Sequence, residues 1–402
     1  MLLKRQKAGI QMAKNNAAKG RQGASGAVSE RNNINKFRKK RAARKLWLNL
    51  GILTLIILVM ILVVINWSRI IAPLKDAALD VGKGGFPVDL PGSTDYVLDG
   101  LGDNFCLLTD TYFYTYNSDG AMIANVQHGM QNPELCTNSR RALIYDRRGR
   151  EFQLYSRTGE VFSASVDDTI DFAEISNDER CAVVTKSTKY SNCLYIFNGE
   201  GKQIFRWASP AYLIDRVEFS DDDNSIYAAV CGSQNGELQY YIMRFDLDNA
   251  DGSVWQTCAG EHMVFSLEYA NDGIFVVTAG GAELLDRDSG EISAQTSFIS
   301  SVAQIPGGNT RALLLKDSGG SNVLTVYGDG LEAAAAESLG DVTRVVSAGD
   351  SLYVLTDSEL TKYDQQLNVT GNYELDDVYS DVTIIGGSAY LLCYNTVQRL
   401  EL

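Results

Sequence analysis

Acid–base chemistry near neutral pH falls first to histidine, and this 402-residue sequence has two, His128 and His262. Each sits where one strand unit gives way to the next. No G-x-S-x-G elbow accompanies them, so they are expected to be structural or exposed rather than members of a triad. The seven cysteines, Cys106, Cys136, Cys181, Cys193, Cys231, Cys258 and Cys393, cannot all pair within one chain. No C-x-x-C occurs and the spacing suits no zinc site. Cys106, Cys181, Cys231 and Cys393 fall in the second strand of a repeat, where a small buried hydrophobe is expected. Cys181 and Cys193 can face each other across one hairpin, but a disulfide is not expected there. Asp246–Gly252 has the start of a calcium loop, yet Thr257 stands where the closing Glu belongs. That segment and Asp221-Asp222-Asp223-Asn224 are read as turns, which Asp and Asn favour for their local hydrogen bonds. No metal and no cofactor is implied. A quinone-binding propeller would be expected to carry docking tryptophans in most blades, and this region has Trp207 and Trp255.

These side chains must be positioned by strands. A phrase recurs in which an aromatic or aliphatic run meets a polar turn ending in glycine: Asn117–Gly120, Ser156–Gly159, Asn198–Gly201, Asn249–Gly252, Asp288–Gly290 and Tyr327–Gly330. The glycines are 39, 42, 51, 38 and 40 residues apart, and Asp364–Asn368 continues the series with Asn for Gly. Both residues tolerate the positive φ of tight turns. Runs such as Tyr112–Tyr116, Leu194–Phe197 and Ile226–Cys231 are rich in aromatic and β-branched residues and read as strands. Leu331–Ala336 has helical propensity, but the repeat predicts a strand there.

Three or four strands per ~40 residues is the period of a β-propeller blade. The fold class is therefore all-β, with blades at 96–132, 133–169, 170–213, 214–263, 264–299, 300–340, 341–379 and 380–402. Eight blades need ~320 residues, matching 84–402; seven is the alternative and leaves ~40 residues outside the ring. The last blade supplies three strands, so Phe86–Leu90 is expected to complete it and hide the edge.

Charge divides the chain. Residues 1–46 hold 14 Lys/Arg and one acid, Glu30, while the rest carries a net −27. The first part has too little apolar surface to offset the entropy of ordering and is read as a flexible basic tail. Lys36, Arg38, Lys39, Lys40, Arg41, Arg44 and Lys45 form its densest stretch. From Trp47 to Ile65 there is no charge, a run of 19 residues with Trp47 and Trp67 at its ends. About 20 apolar residues span a bilayer, and tryptophan favours its interface. Some 45 residues precede the run, too many for a cleaved signal of ~15–30. The expected organisation is a cytoplasmic tail (1–46), a signal-anchor helix (47–67), a linker (68–83) and an extracytoplasmic propeller (84–402), since positive charge stays inside. The expected partners are membrane lipid, at the anchor and the basic tail, and a protein or envelope component. Nucleic acid is disfavoured by the −27 of the exterior part.

Asn132-Pro133-Glu134-Leu135, Arg141–Gly149, Ala182–Tyr190, Leu194–Phe197 and Gly85-Phe86-Pro87-Val88, with the anchor before them, resemble the bacterial domain-of-unknown-function family number 5711. The resemblance spans about 84–400. It implies a single-pass membrane protein of a Gram-positive envelope with a propeller-like exterior, and it supplies no catalytic residues.

Two polar segments stand apart from packing. Lys186–Asn192 and Gly232–Glu237 each lie between the second and third strands of a blade and are expected to be loops on one face. Their candidate binding residues are Lys186, Lys189, Tyr190, Gln234 and Asn235, because loops on a rigid scaffold often carry binding. Three functions fit: a membrane-anchored propeller that binds a protein or envelope component; an envelope hydrolase or lyase with its site in the channel; and a basic tail as effector with the propeller as sensor.

Overall fold

The computed structural model describes residues 47–60, 83–92, 95–249, 252–270, 272–308 and 310–402. The basic cluster from Lys36 to Lys45, Trp67 and most of the linker lie outside the described residues. The chain divides into two units, Met1–Leu79 and Asp80–Leu402. In the first, residues 47–60 are helical and exposed all round. Its one hydroxyl, on Thr54, donates back to the carbonyls of Leu50 at 2.8 Å and Gly51 at 3.0 Å, so it is not left unsatisfied. Among the described residues no helix is long and apolar enough to cross a membrane. The apolar run continues through 61–65, outside them.

The second unit is eight four-stranded antiparallel sheets. Seven are sequential meanders spanning 97–127, 133–165, 169–209, 213–260, 264–297, 301–339 and 344–374. The eighth combines Asp381–Ile385, Ser388–Leu392 and Thr396–Glu401 with the two-residue strand Val88–Asp89. The expected number of blades, their limits and the closing segment all hold.

Burial explains the sequence pattern. The second strands are buried along almost their whole length, as in Asn104–Leu108 and Gly273–Thr278. The fourth strands, such as Val369–Glu374, alternate toward solvent. A strand covered on both faces needs a continuous apolar run, whereas an outer strand needs one apolar face. The covering comes from neighbouring blades. The eight apolar clusters each bridge two adjacent blades, the last pair being blades eight and one.

Closure rests on few bonds. Val88 pairs with Val397, Asp89 with Thr396, and the Leu90 amide donates to the Asn395 carbonyl at 2.9 Å. Val88 and Leu90 are buried with Phe105, Tyr116 and Tyr390, and Phe86 packs edge-on against Tyr390 at 5.9 Å. Gly120, at φ +82°, lies under this segment. A Cβ there would meet Val88 Cγ2 at 2.8 Å and the Gly85 carbonyl at 2.9 Å, so glycine serves close approach as well as the turn. Arg399 Nη1 and the Tyr390 hydroxyl donate to the Ser118 carbonyl at 3.0 and 3.3 Å, tying blade eight to blade one.

Four expectations are corrected. Gly232–Glu237 is not a loop: Ser225–Gln234 and Glu237–Asp246 are ten-residue strands joined by Asn235-Gly236, at φ +55° and +90°. Asn-Gly is the favoured two-residue hairpin turn, so pairing runs to the tip. The strand expected from Leu331 begins at Ala333. Leu331 itself takes φ +56° and Leu367 φ +58°, positions expected to fall to Gly330 and Asn368. Both leucines are buried, and this burial offsets the left-handed strain. Cys393 lies one residue beyond its strand and is half-buried. No cysteine is paired; Cys193 sits opposite Thr185, not Cys181.

Val88→Asp places an unpaired charge in the closing interface. It is expected to lower stability by about 3 kcal/mol or more, measured by urea denaturation. Amide exchange should rise first in Ser388–Glu401.

Candidate functional site

Antiparallel meanders sort their connections by end. Turns between first and second strands, and between third and fourth, share one face of the ring, here the turn face. The connections between second and third strands and between blades share the other, the loop face.

The five candidate binding residues all belong to the loop face. Lys186 ends its strand and pairs with Asp171 at 3.2 Å. Lys189 Nζ lies 5.1 Å from the Tyr190 ring centre, and Tyr190 is packed against the cluster between blades two and three. Gln234 accepts from the Tyr241 hydroxyl at 2.7 Å, and Asn235 forms the hairpin tip. The structure thus places them in two separate projections, one per blade, without assembling a common pocket.

The same face carries exposed apolar side chains that the sequence pattern did not single out. Val97, Tyr112, Val378 and Tyr394 lie around blades eight and one. Leu213, Leu238, Met263 and Ile299 lie around blades four to six, with Ile299 fully exposed and Tyr394 85% exposed. Among the described residues, the turns between first and second strands carry none. The turn side has exposed apolar side chains too, Met122, Val161, Ile204, Val254, Ile292 and Val369, but these sit at or beside the starts of the outermost strands, at the rim, whereas the loop-face set also includes first-strand starts and inter-blade connections. An exposed apolar set on a rigid scaffold is a mark of an interaction surface.

The turn face is different. Asp99, Cys136, Glu174, Glu218 and Glu268 lie opposite Cys106, Leu143, Ala182, Tyr227 and Phe275. Through these pairings they occupy one register of the first strands of blades one to five. The Cys136 thiol donates to Glu174 Oε2 at 3.0 Å, and Thr137 Oγ1 donates to Asp99 Oδ2 at 2.8 Å. Burial raises the Glu218 carboxyl to about 8, helped by Glu174, Glu268 and Asp221, against one backbone bond from Tyr269. Burial also raises Glu174 and Glu268. The Cys136 thiol is pushed far up by burial and by Glu174, so it is no nucleophile. Glu174, Ser176, Glu218, Ser220, Asp221 and Asp223 line a cleft of about 110 Å³ between blades three and four. Asp223, at φ +56°, latches these blades: its Oδ2 accepts from Ser176 Oγ at 2.9 Å and the Asp178 amide at 2.7 Å.

A model of the family of unknown function DUF5711 matches residues 90–402. The chain belongs to that family. No curated protein matches it. Among solved structures, the DUF5711 propeller is similar to BamB from Moraxella catarrhalis, at 12% identity and TM-score 0.52, covering 79% of this chain and 100% of that one. It is also similar to the C-terminal WD40 domain of Sif2, at 11% identity and TM-score 0.58, covering 80% and 99%. The Dos1 propeller matches at 12% identity and TM-score 0.57, covering 79% and 95%. At these identities the likeness establishes the propeller fold and nothing about ligands.

The histidines of this DUF5711 chain lie apart. His128 is buried; its Nδ1 accepts from the Met130 amide at 3.1 Å, its Nε2 lies 3.1 Å from the Thr109 carbonyl, and burial lowers its pKa. His262 is exposed, with its ring over Gly280, where a Cβ would meet Cδ2 at 2.3 Å. The glutamates were missed, although they carry a sequence signal. Ala-Glu-Ile-Ser-Asn-Asp (173–178), Val-Glu-Phe-Ser-Asp-Asp (217–222) and Leu-Glu-Tyr-Ala-Asn-Asp (267–272) repeat one phrase.

Neutral Glu218 favours folding below its unfolded pKa of ~4.3, and that contribution is lost as pH rises through about 8. Glu218→Gln cannot ionise. Its urea midpoint is expected to fall less than the wild type's between about pH 6 and pH 9; equal slopes would contradict the assignment.

Proposed function

We propose that this protein is a membrane-anchored extracytoplasmic binding module whose loop face docks a protein or another envelope component. The observation that carries the reading is the set of exposed apolar side chains at the loop end of a rigid ring. The closing strand is consistent with it. Gly84, Gly85 and Phe86 pack beside Gly120 on the turn face, away from the loop face. The basic stretch from Lys36 to Lys45, followed by the uncharged run from Trp47 to Ile65, supports a single-pass anchor with the N-terminus in the cytoplasm and the tail near anionic lipid.

The raised carboxylates favour a second reading, a hydrolase or lyase acting from the channel, since shifted acids gather at active sites. Two facts count against it. The cleft of about 110 Å³ is well below the ~300–1,000 Å³ of small-molecule sites. The acids also share one cause, burial, which Arg216 offsets only in part at Glu174, rather than environments that separate an acid from a base.

Topology is tested with Cys258, the one exposed cysteine. A membrane-impermeant maleimide is expected to label intact cells making the protein and not those making Cys258→Ser. Labelling only after lysis would place the propeller inside. Docking is tested by in-cell crosslinking through a C-terminal tag. A discrete adduct should be lost when Leu238 and Tyr394 are changed to Glu, and kept when Met122, at the outer edge on the turn side, is changed to Glu. Equal loss in both would move the interface off the loop face.

A further inference from the structure

The cleft between blades three and four has more acceptors than donors. Asp223 is 1% exposed, and its Oδ1 has no hydrogen-bond partner although the residue lines the cleft. Glu218, beside it, accepts a single long bond, from the Tyr269 amide at 3.4 Å. Ser220 Oγ is turned away, donating to Asp222 Oδ1 at 2.6 Å and the Ser225 carbonyl at 3.2 Å. The nearest guanidinium groups are committed to backbone carbonyls, Arg180 to Asp223 and Arg216 to Asp215 and Phe265. A buried carboxylate oxygen without a donor is costly, and a ligand that brings donors and positive charge relieves it.

We propose that this cleft on the turn face binds a primary ammonium group, as carried by a lysine side chain. An ammonium needs about three acceptors near 2.8 Å, and the lining offers two carboxyl groups, Asp223 and Glu218, beside the side-chain amide oxygen of Asn177. Calcium needs six to eight oxygens at about 2.3–2.6 Å, and no group of three His, Cys, Asp or Glu among the described residues is placed to hold a metal. About 110 Å³ admits the tip of a lysine but not a ring system. The site is separate from the loop face and does not depend on the docking proposed for it.

Charge gives the site a pH signature. Glu218 faces Glu174 on the neighbouring first strand, Glu268 on the next blade, and Asp221 and Asp223 in its own turn. It is largely neutral below about 8. An ammonium binds the ionised form better, so binding releases a proton and strengthens as pH rises toward that value.

The test uses the full chain in detergent micelles and saturation-transfer NMR of Nα-acetyl-lysine methylamide. Transfer is expected, at least about threefold stronger near pH 8.5 than near pH 6, and reduced in Glu218→Gln and Asp223→Asn. The Nε-acetylated probe, which lacks the charge, should show none. Thermal unfolding checks that each variant is folded, and Glu218→Gln suffices should Asp223→Asn lose the latch. Equal transfer to both probes, or unchanged transfer in folded Glu218→Gln, overturns the proposal. Displacement of the lysine probe by about 1 mM calcium at constant ionic strength overturns it in favour of a metal site.

Discussion

Every blade of this protein has two apolar faces, and a sheet with two apolar faces is stable only between two neighbours. The apolar clusters are therefore interfaces between blades, not cores within them. Such an arrangement has no free end except by exposing a face, so closure of the circle is the constraint on which the rest depends. It explains why Val88 and Leu90 are buried although their strand has two residues. It also explains why Arg399 and Tyr390 reach across to the turn of blade one.

The ring was legible because its constraint repeats. Glycine spacing fixed the blade period, the three-stranded remainder at the end called for a donor, and Phe86–Leu90 was the segment without a place. What was not legible depended on neighbours distant in sequence. Leu331 and Leu367 adopt backbone conformations that leucine disfavours because each is buried in an inter-blade cluster. The polarity of Gly232–Glu237 concealed a paired hairpin whose Asn-Gly tip was in view. The Glu174, Glu218 and Glu268 phrase was present in the letters, but its meaning required knowing that the first strands of successive blades stand side by side at one register.

The two ends of the first strands present different chemistry from one topology. At the loop end, side chains at strand starts and inter-blade connections carry little secondary constraint and expose apolar surface. At the turn end, first strands from neighbouring blades converge, and carboxylates there are desolvated by one another's sheets. Blades one, three, four and five have acids at this register and blade two has Cys136. In blade eight Thr383, opposite Tyr390, takes this position, and the carboxylate Asp381, opposite Leu392 toward the loop end, is partnered by Arg344 of blade seven at 3.4 Å, although burial still raises it.

The closing pair has a consequence for synthesis. Val88 emerges early, and its partner Val397 is made roughly 300 residues later, so the bond that completes the circle has about the greatest sequence separation the chain allows. Blades one to seven can each form their meander as they appear, while the Val88–Leu90 segment waits unpaired. The ring therefore forms in order and locks at the end, and a chain halted before the third strand of blade eight leaves both the first blade and the last with an uncovered edge.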